Sequence, residues 1–118
     1  MIKSFSDLEI YQLSYKLAID IFNMSKSFPT SEKYSLTDQM VRSTRSISAN
    51  IAEDFGRRTH PSEFEKFLVY SAGSLEKSKV WLNFAKDCQY LTSEQFDLIY
   101  SNTDEIGAKI HKLYVNWK

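Results

Sequence analysis

Cysteine, proline and glycine are scarce in this chain of 118 residues, which has one Cys, two Pro and three Gly. The lone Cys88 cannot form an internal disulfide. So few breakers exclude collagen-like and low-complexity chains and leave room for long helices. Net charge is missing as well, because 15 Lys and Arg balance 15 Asp and Glu. That balance removes the global attraction to phosphate shown by strongly basic nucleic-acid binders, so any such binding needs a local patch. No apolar run exceeds about five residues, far short of a membrane span. The opening also lacks an apolar core followed by a small-residue cleavage site. The protein is therefore expected to be cytoplasmic and reduced, with no membrane partner. What is present is a composition 42% hydrophobic and 25% charged. At this length about two-thirds of the unfolded surface can be buried, so positions 1–118 make one domain without disulfide or metal.

Punctuation at Pro29, at Gly56 to Pro61 and at Tyr90 to Thr92 divides the chain into four segments. The first helix is predicted from Asp7 to Ser27, opened by a Ser6/Glu9 capping box, with Ile10, Ser14, Leu17, Ile21, Met24 and Phe28 inward. A second line, Tyr11, Tyr15, Ala18 and Phe22, lies beside it. The next helix runs from Glu32 to Phe55, with Leu36, Met40, Thr44, Ile47, Ile51 and Phe55 on its apolar line. Roughly 130° around it, at 100° per residue, lies a polar line of Gln39, Arg42, Ser46, Asn50, Glu53 and Arg57. The third helix runs from Thr59, as cap, to Gln89. Its apolar line is Phe64, Leu68, Ala72, Leu75 and Leu82, and a second is Phe67, Tyr70, Trp81, Phe84 and Cys88. Gly73-Ser74 near that second face would let another backbone approach, and Cys88 is expected as a buried thiol. The last helix opens with a Thr92/Gln95 box and carries Phe96, Ile99, Thr103, Ile106, Ile110, Leu113 and Trp117 on one face.

Four helices with short loops predict an all-α, antiparallel, up-down-up-down four-helix bundle. The doubled apolar surface on the first and third helices exceeds what one such core covers. Self-association into a ring or dimer is expected through Tyr70, Gly73, Trp81 and Phe84. The alternative is that these aromatics flank the core edge.

Chemical motifs are absent. No Glu-x-x-His supports a di-metal bundle, no second histidine stands at helical spacing from His60 or His111, and no Gly-rich phosphate loop or nucleophile elbow occurs. No cofactor, metal or small-molecule substrate is expected. The four arginines, Arg42, Arg45, Arg57 and Arg58, are the more informative feature, because all lie between positions 42 and 58. Arginine suits bidentate contact with carboxylate or phosphate. Arg42 and Arg57 could pair with Asp38, Glu53 or a neighbouring subunit. Alternatively, Arg57, Arg58 and His60, with Lys66 close in sequence, could form a phosphate-binding edge at a helix start.

The strings Leu36-Thr37-Asp38-Gln39-Met40-Val41-Arg42, Ser46-Ile47-Ser48-Ala49-Asn50-Ile51-Ala52-Glu53 and Phe55-Gly56-Arg57 resemble the four-helix bundle proteins encoded within 23S rRNA intervening sequences. Phe5, Asp7, Leu8, Tyr11, Phe28-Pro29, Glu63-Phe64, Phe67-Leu68 and Ala72-Gly73-Ser74-Leu75 extend the likeness over nearly the whole chain. The resemblance implies a helical bundle that assembles as a homopentamer. It also implies kinship with the accessory protein of diversity-generating retroelements, a relative thought to bind nucleic acid and a reverse transcriptase. This chain departs from the pattern at Arg45, Ser48, Asp54 and Lys77. The first expectation is a non-enzymatic assembly or adaptor protein whose partner is RNA or a nucleic-acid-handling protein. In it Arg57, Arg58 and Lys66 contact phosphate, and Gln39, Arg42, Asn50 and Glu53 form a polar lattice between helices or subunits. The alternative is a small metal-dependent hydrolase or nuclease using Glu53, Asp54 and His60.

Overall fold

The breaks fall where the two prolines and the cap residues put them. In a computed structural model that describes residues 3–57 and 59–117, four helices follow one another, α1 (Glu9–Ser25), α2 (Leu36–Gly56), α3 (Pro61–Asp87) and α4 (Ser93–Trp117). Short 3-10 turns at Phe5–Asp7 and Thr30–Glu32 precede the first two. No strand occurs among the described residues. No described helix is long and apolar enough to cross a membrane.

The first apolar line of each helix turns inward, while the second lines of α1 and α3 stay largely at the surface, with Tyr15, Phe22, Tyr70, Phe84 and Cys88 exposed. Leu17, Ile21, Met40, Ile47, Ile51, Leu68, Leu75, Leu82 and Ile106 are almost fully buried and share one core. α1 touches α2 and α4, α3 touches α2 and α4, and the diagonal pairs do not meet among the described residues. The helices therefore stand at the corners of a square in a single domain of 44 × 24 × 22 Å. The 27 residues of α3 span about 40 Å at 1.5 Å per residue, so one helix sets the long dimension. Gly107 lets α4 come close to α3, since a Cβ there would lie 3.1 Å from Leu75 Cδ2. Gly73 has nothing within 4 Å of such a Cβ, so the close approach within this chain is at Gly107 and not at Gly73.

The helix ends differ from the sequence reading where a distant partner competes for the cap. Glu9 pairs with Lys109 of α4 at 2.8 Å, and the Ser6 hydroxyl lies 2.7 Å from that of Ser4. No Ser6/Glu9 box forms. Instead Asp7 accepts the amides of Lys3 at 2.8 Å and Ser4 at 3.1 Å, which lowers its pKa. α2 starts at Leu36 and not Glu32, because Thr30–Glu32 closes as a 3-10 turn. His60, not Thr59, occupies the N-cap of α3, with proline at the first position. The Thr92/Gln95 box does form, with bonds of 2.9 and 3.1 Å. At the end of α3 the Gln89 amide donates to the Lys86 carbonyl at 2.9 Å and the Tyr90 amide to that of Ala85 at 2.8 Å, while Gln89 takes φ 63°. This is a Schellman cap, and it holds Cys88 at the surface, so the thiol expected inside is exposed.

Candidate functional site

The polar line of α2 and one line of α3 form the two banks of a groove. On α2 they are Gln39, Arg42, Ser46 and Asn50; on α3, at spacings of three and four, they are Ser74, Lys77, Trp81 and Phe84. Serines join the banks. Ser46 Oγ lies 2.9 Å from Ser74 Oγ, and Asn50 Nδ2 donates to Ser46 Oγ at 3.2 Å. Beneath them Ser78 Oγ lies 3.0 Å from Ser43 Oγ, and Ser71 Oγ donates to the Ile47 carbonyl at 3.4 Å. Small hydroxyl side chains let α2 and α3 pack closely while keeping their buried polar atoms bonded.

Two cavities open along this groove and meet at Gln39. The larger, about 460 Å³, is walled by Tyr34, Leu36, Trp81 and Phe84, with Glu32, Ser35, Gln39 and Cys88 at its edge. The Trp81 and Phe84 rings are 6.0 Å apart and inclined at 32°. Trp81 Nε1 is buried without an acceptor, uncommon for an indole N–H. Glu32 accepts the Ser35 hydroxyl at 2.6 Å and the Tyr90 hydroxyl at 2.8 Å. These bonds, Ser35 first, hold its carboxyl below the usual range, and the same contact pushes Tyr90 up to about 12. The smaller cavity, about 250 Å³, is lined by Gln39, Arg42, Ser43, Ser46, Ser74 and Lys77, with no carboxylate among them. Arg42 reaches Asp38 only at 3.7 Å, and Lys77 makes no ion pair among the described residues.

The remaining predicted site residues scatter. Arg57 lies 3.9 Å from Glu63 and stacks over Phe67 at 5.0 Å. Lys66 sits 6.0 Å from the Tyr70 ring, and Arg58 lies outside the described residues. Glu53 and His60 are exposed while the neighbouring Asp54 is buried. Among the described residues no three His, Cys, Asp or Glu side chains gather as a metal site. Both Asp54 carboxylate oxygens lack hydrogen-bond partners. Burial first, and the charge of Glu53 second, push this carboxyl up to about 8. Glu32, Tyr34, Ser74 and Lys77 were not legible as site residues. Only the one-turn spacing of Ser74, Lys77 and Trp81 pointed to a shared face, and nothing in the sequence said which face of α3 meets α2.

The profile of the family described as 23S rRNA-intervening sequence protein matches residues 6–112. A crystal structure of a protein of unknown function from the S23 ribosomal protein family of Bacteroides thetaiotaomicron superposes with a TM-score of 0.81. It is 24% identical, and the match covers 89% of this chain and 94% of that one. At that identity the likeness speaks for the fold. No curated protein matches the chain.

Proposed function

Starting from the fact that the chain belongs to the 23S rRNA-intervening sequence protein family, we propose that it works without catalysis, as an assembly or adaptor protein in the cytoplasm. Its helices run up-down-up-down and its copies close into a homopentamer. Partner numbers that fall along α3 as they rise along α2, Ser43 with Ser78, Ser46 with Ser74 and Ile47 with Ser71, support the antiparallel pairing.

One observation carries the assembly. Exposed large apolar side chains concentrate on α1 (Tyr15, Ile19, Phe22) and α3 (Val69, Tyr70, Val80, Phe84), while α4 carries two far apart in sequence, Leu98 and Val115, and α2 none. Tyr15, Ile19 and Phe22 form one helical stripe, and Val69 and Val80 flank Gly73 on another. A contiguous apolar stripe on a monomer is an interaction surface. These two stand at diagonal corners of the square, so a copy can offer one to the next copy's other, a heterologous contact that generates rings. The number five is what the family resemblance implies. The partner of the assembled protein is RNA or a protein that handles it, for which Arg57 and Lys66 supply exposed cations. Light scattering on the purified protein, with and without an RNA pool at two salt concentrations, tests the reading. A mass near five times 13.8 kDa is expected, and a monomer mass at working concentration would overturn it.

A further inference from the structure

We propose that the α2–α3 groove is a nucleotide site, with the base held at its aromatic end and the phosphate at its cationic end. The groove is lined by one protomer alone, and the proposed ring contact is made by the Val69 and Val80 stripe, which leaves Phe84 open to a ligand, so this inference goes beyond the assembly and does not depend on the number of copies.

The two cavities have opposite chemistries and share a wall. Tyr34, Trp81 and Phe84 offer flat aromatic surface, on which any nucleobase stacks. Arg42 and Lys77 face the second cavity from opposite banks, and between them the Ser46 and Ser74 hydroxyls, now bonded to each other, can rotate to donate to an anion. Two cations with hydroxyl donors and no lining carboxylate form a cradle for a phosphate oxyanion. Trp81 stands one turn beyond Lys77, about 6 Å along the helix axis, a span that a base covers through its sugar to its phosphate. Gln39 lies at the junction, where its amide can meet either ribose hydroxyls or a base edge.

Glu32 sets the direction. Its carboxylate borders the aromatic cavity and is fixed by Ser35 and Tyr90, so it repels a phosphate there and accepts N–H groups from a base edge. A ligand of uniform charge gains nothing from such a groove, whereas a nucleotide carries donors on the base and negative charge at the phosphate. The chemistry is the same for a free nucleotide and for one nucleotide of a single strand, and the two are separated by experiment.

The test is calorimetry of the full chain with 5′-GMP, guanosine and inorganic phosphate, beside fluorescence anisotropy with a short labelled single-stranded RNA. The Arg42→Ala/Lys77→Ala double variant and Phe84→Ala alter exposed side chains and leave the core intact. Lys112→Ala, on α4 away from the groove, is the control for general charge. GMP binding more tightly than guanosine or phosphate, and weakened about tenfold or more by the double variant, identifies a free-nucleotide site. RNA binding weakened by the double variant and by Phe84→Ala, with no heat from GMP, places the nucleotide within a strand. The proposal is overturned if neither probe binds, if the groove variants bind both probes as the parent does, or if Lys112→Ala weakens RNA as much as the double variant.

Discussion

Asp54 is the residue whose chemistry is most at odds with its place. A carboxyl that is 1% exposed, with no donor on either oxygen, is held neutral near pH 7, since its pKa is pushed up to about 8 from an ordinary 3.8. Between those two values the folded state binds a proton that the unfolded state has released, so stability falls as pH rises through this window. The loss is at most on the order of 1 kcal/mol per pH unit. Asp54→Asn keeps the shape and removes the titration. Its melting temperature should exceed that of the parent by more at pH 8 than at pH 5, as read by circular dichroism. Equal differences at the two pH values would mean that Asp54 titrates normally. The sequence placed Asp54 beside Glu53 and His60 as a metal-site alternative. Its burial was not legible there, because a charged residue at that position reads as a solvent face until the rest of the bundle packs around it.

Within the elements, periodicity carried the core and failed at the ends. All six residues of the α2 apolar line, Leu36, Met40, Thr44, Ile47, Ile51 and Phe55, are buried, because a 3.6-residue repeat determines which face turns inward whatever the neighbours are. A cap depends on which partner reaches it first, and Lys109 from α4 takes Glu9 away from the expected box. The same limit explains the groove. The unusual polar line of α2 was visible, but Ser74 and Lys77 became its opposite bank only through the register of the serine contacts. The α3 terminus gives a prediction of its own. Gln89 adopts a left-handed conformation at the position where glycine is usual in a Schellman cap. Gln89→Gly relieves a Cβ clash of about 1–2 kcal/mol and gives back part of it as unfolded-chain entropy. A net gain of about 1 kcal/mol in urea unfolding is expected. A loss would show that Gln89 contributes a side-chain contact worth more than the strain.

For the molecule as a whole, the diagonal placement of the α1 and α3 stripes predicts how assembly should break. Phe22→Glu spoils the α1 stripe only, and the fold should tolerate the new carboxylate because Lys26 and Arg45 already stand 4.9 and 5.3 Å from that ring. Val80→Glu spoils the α3 stripe only, at a side chain 48% exposed. In a heterologous ring every junction joins one stripe of each kind, so either variant alone loses all junctions and becomes monomeric. Mixed in equal amounts, the two variants retain one intact pair, the α3 stripe of the first against the α1 stripe of the second. That pair builds a single junction and no ring, so the mixture should sediment as a one-to-one dimer. An isologous interface, α1 on α1 or α3 on α3, gives a different result: one variant keeps self-associating by itself and mixing creates nothing new. Analytical ultracentrifugation of the two variants, separately and together, therefore reads the symmetry of the contact directly.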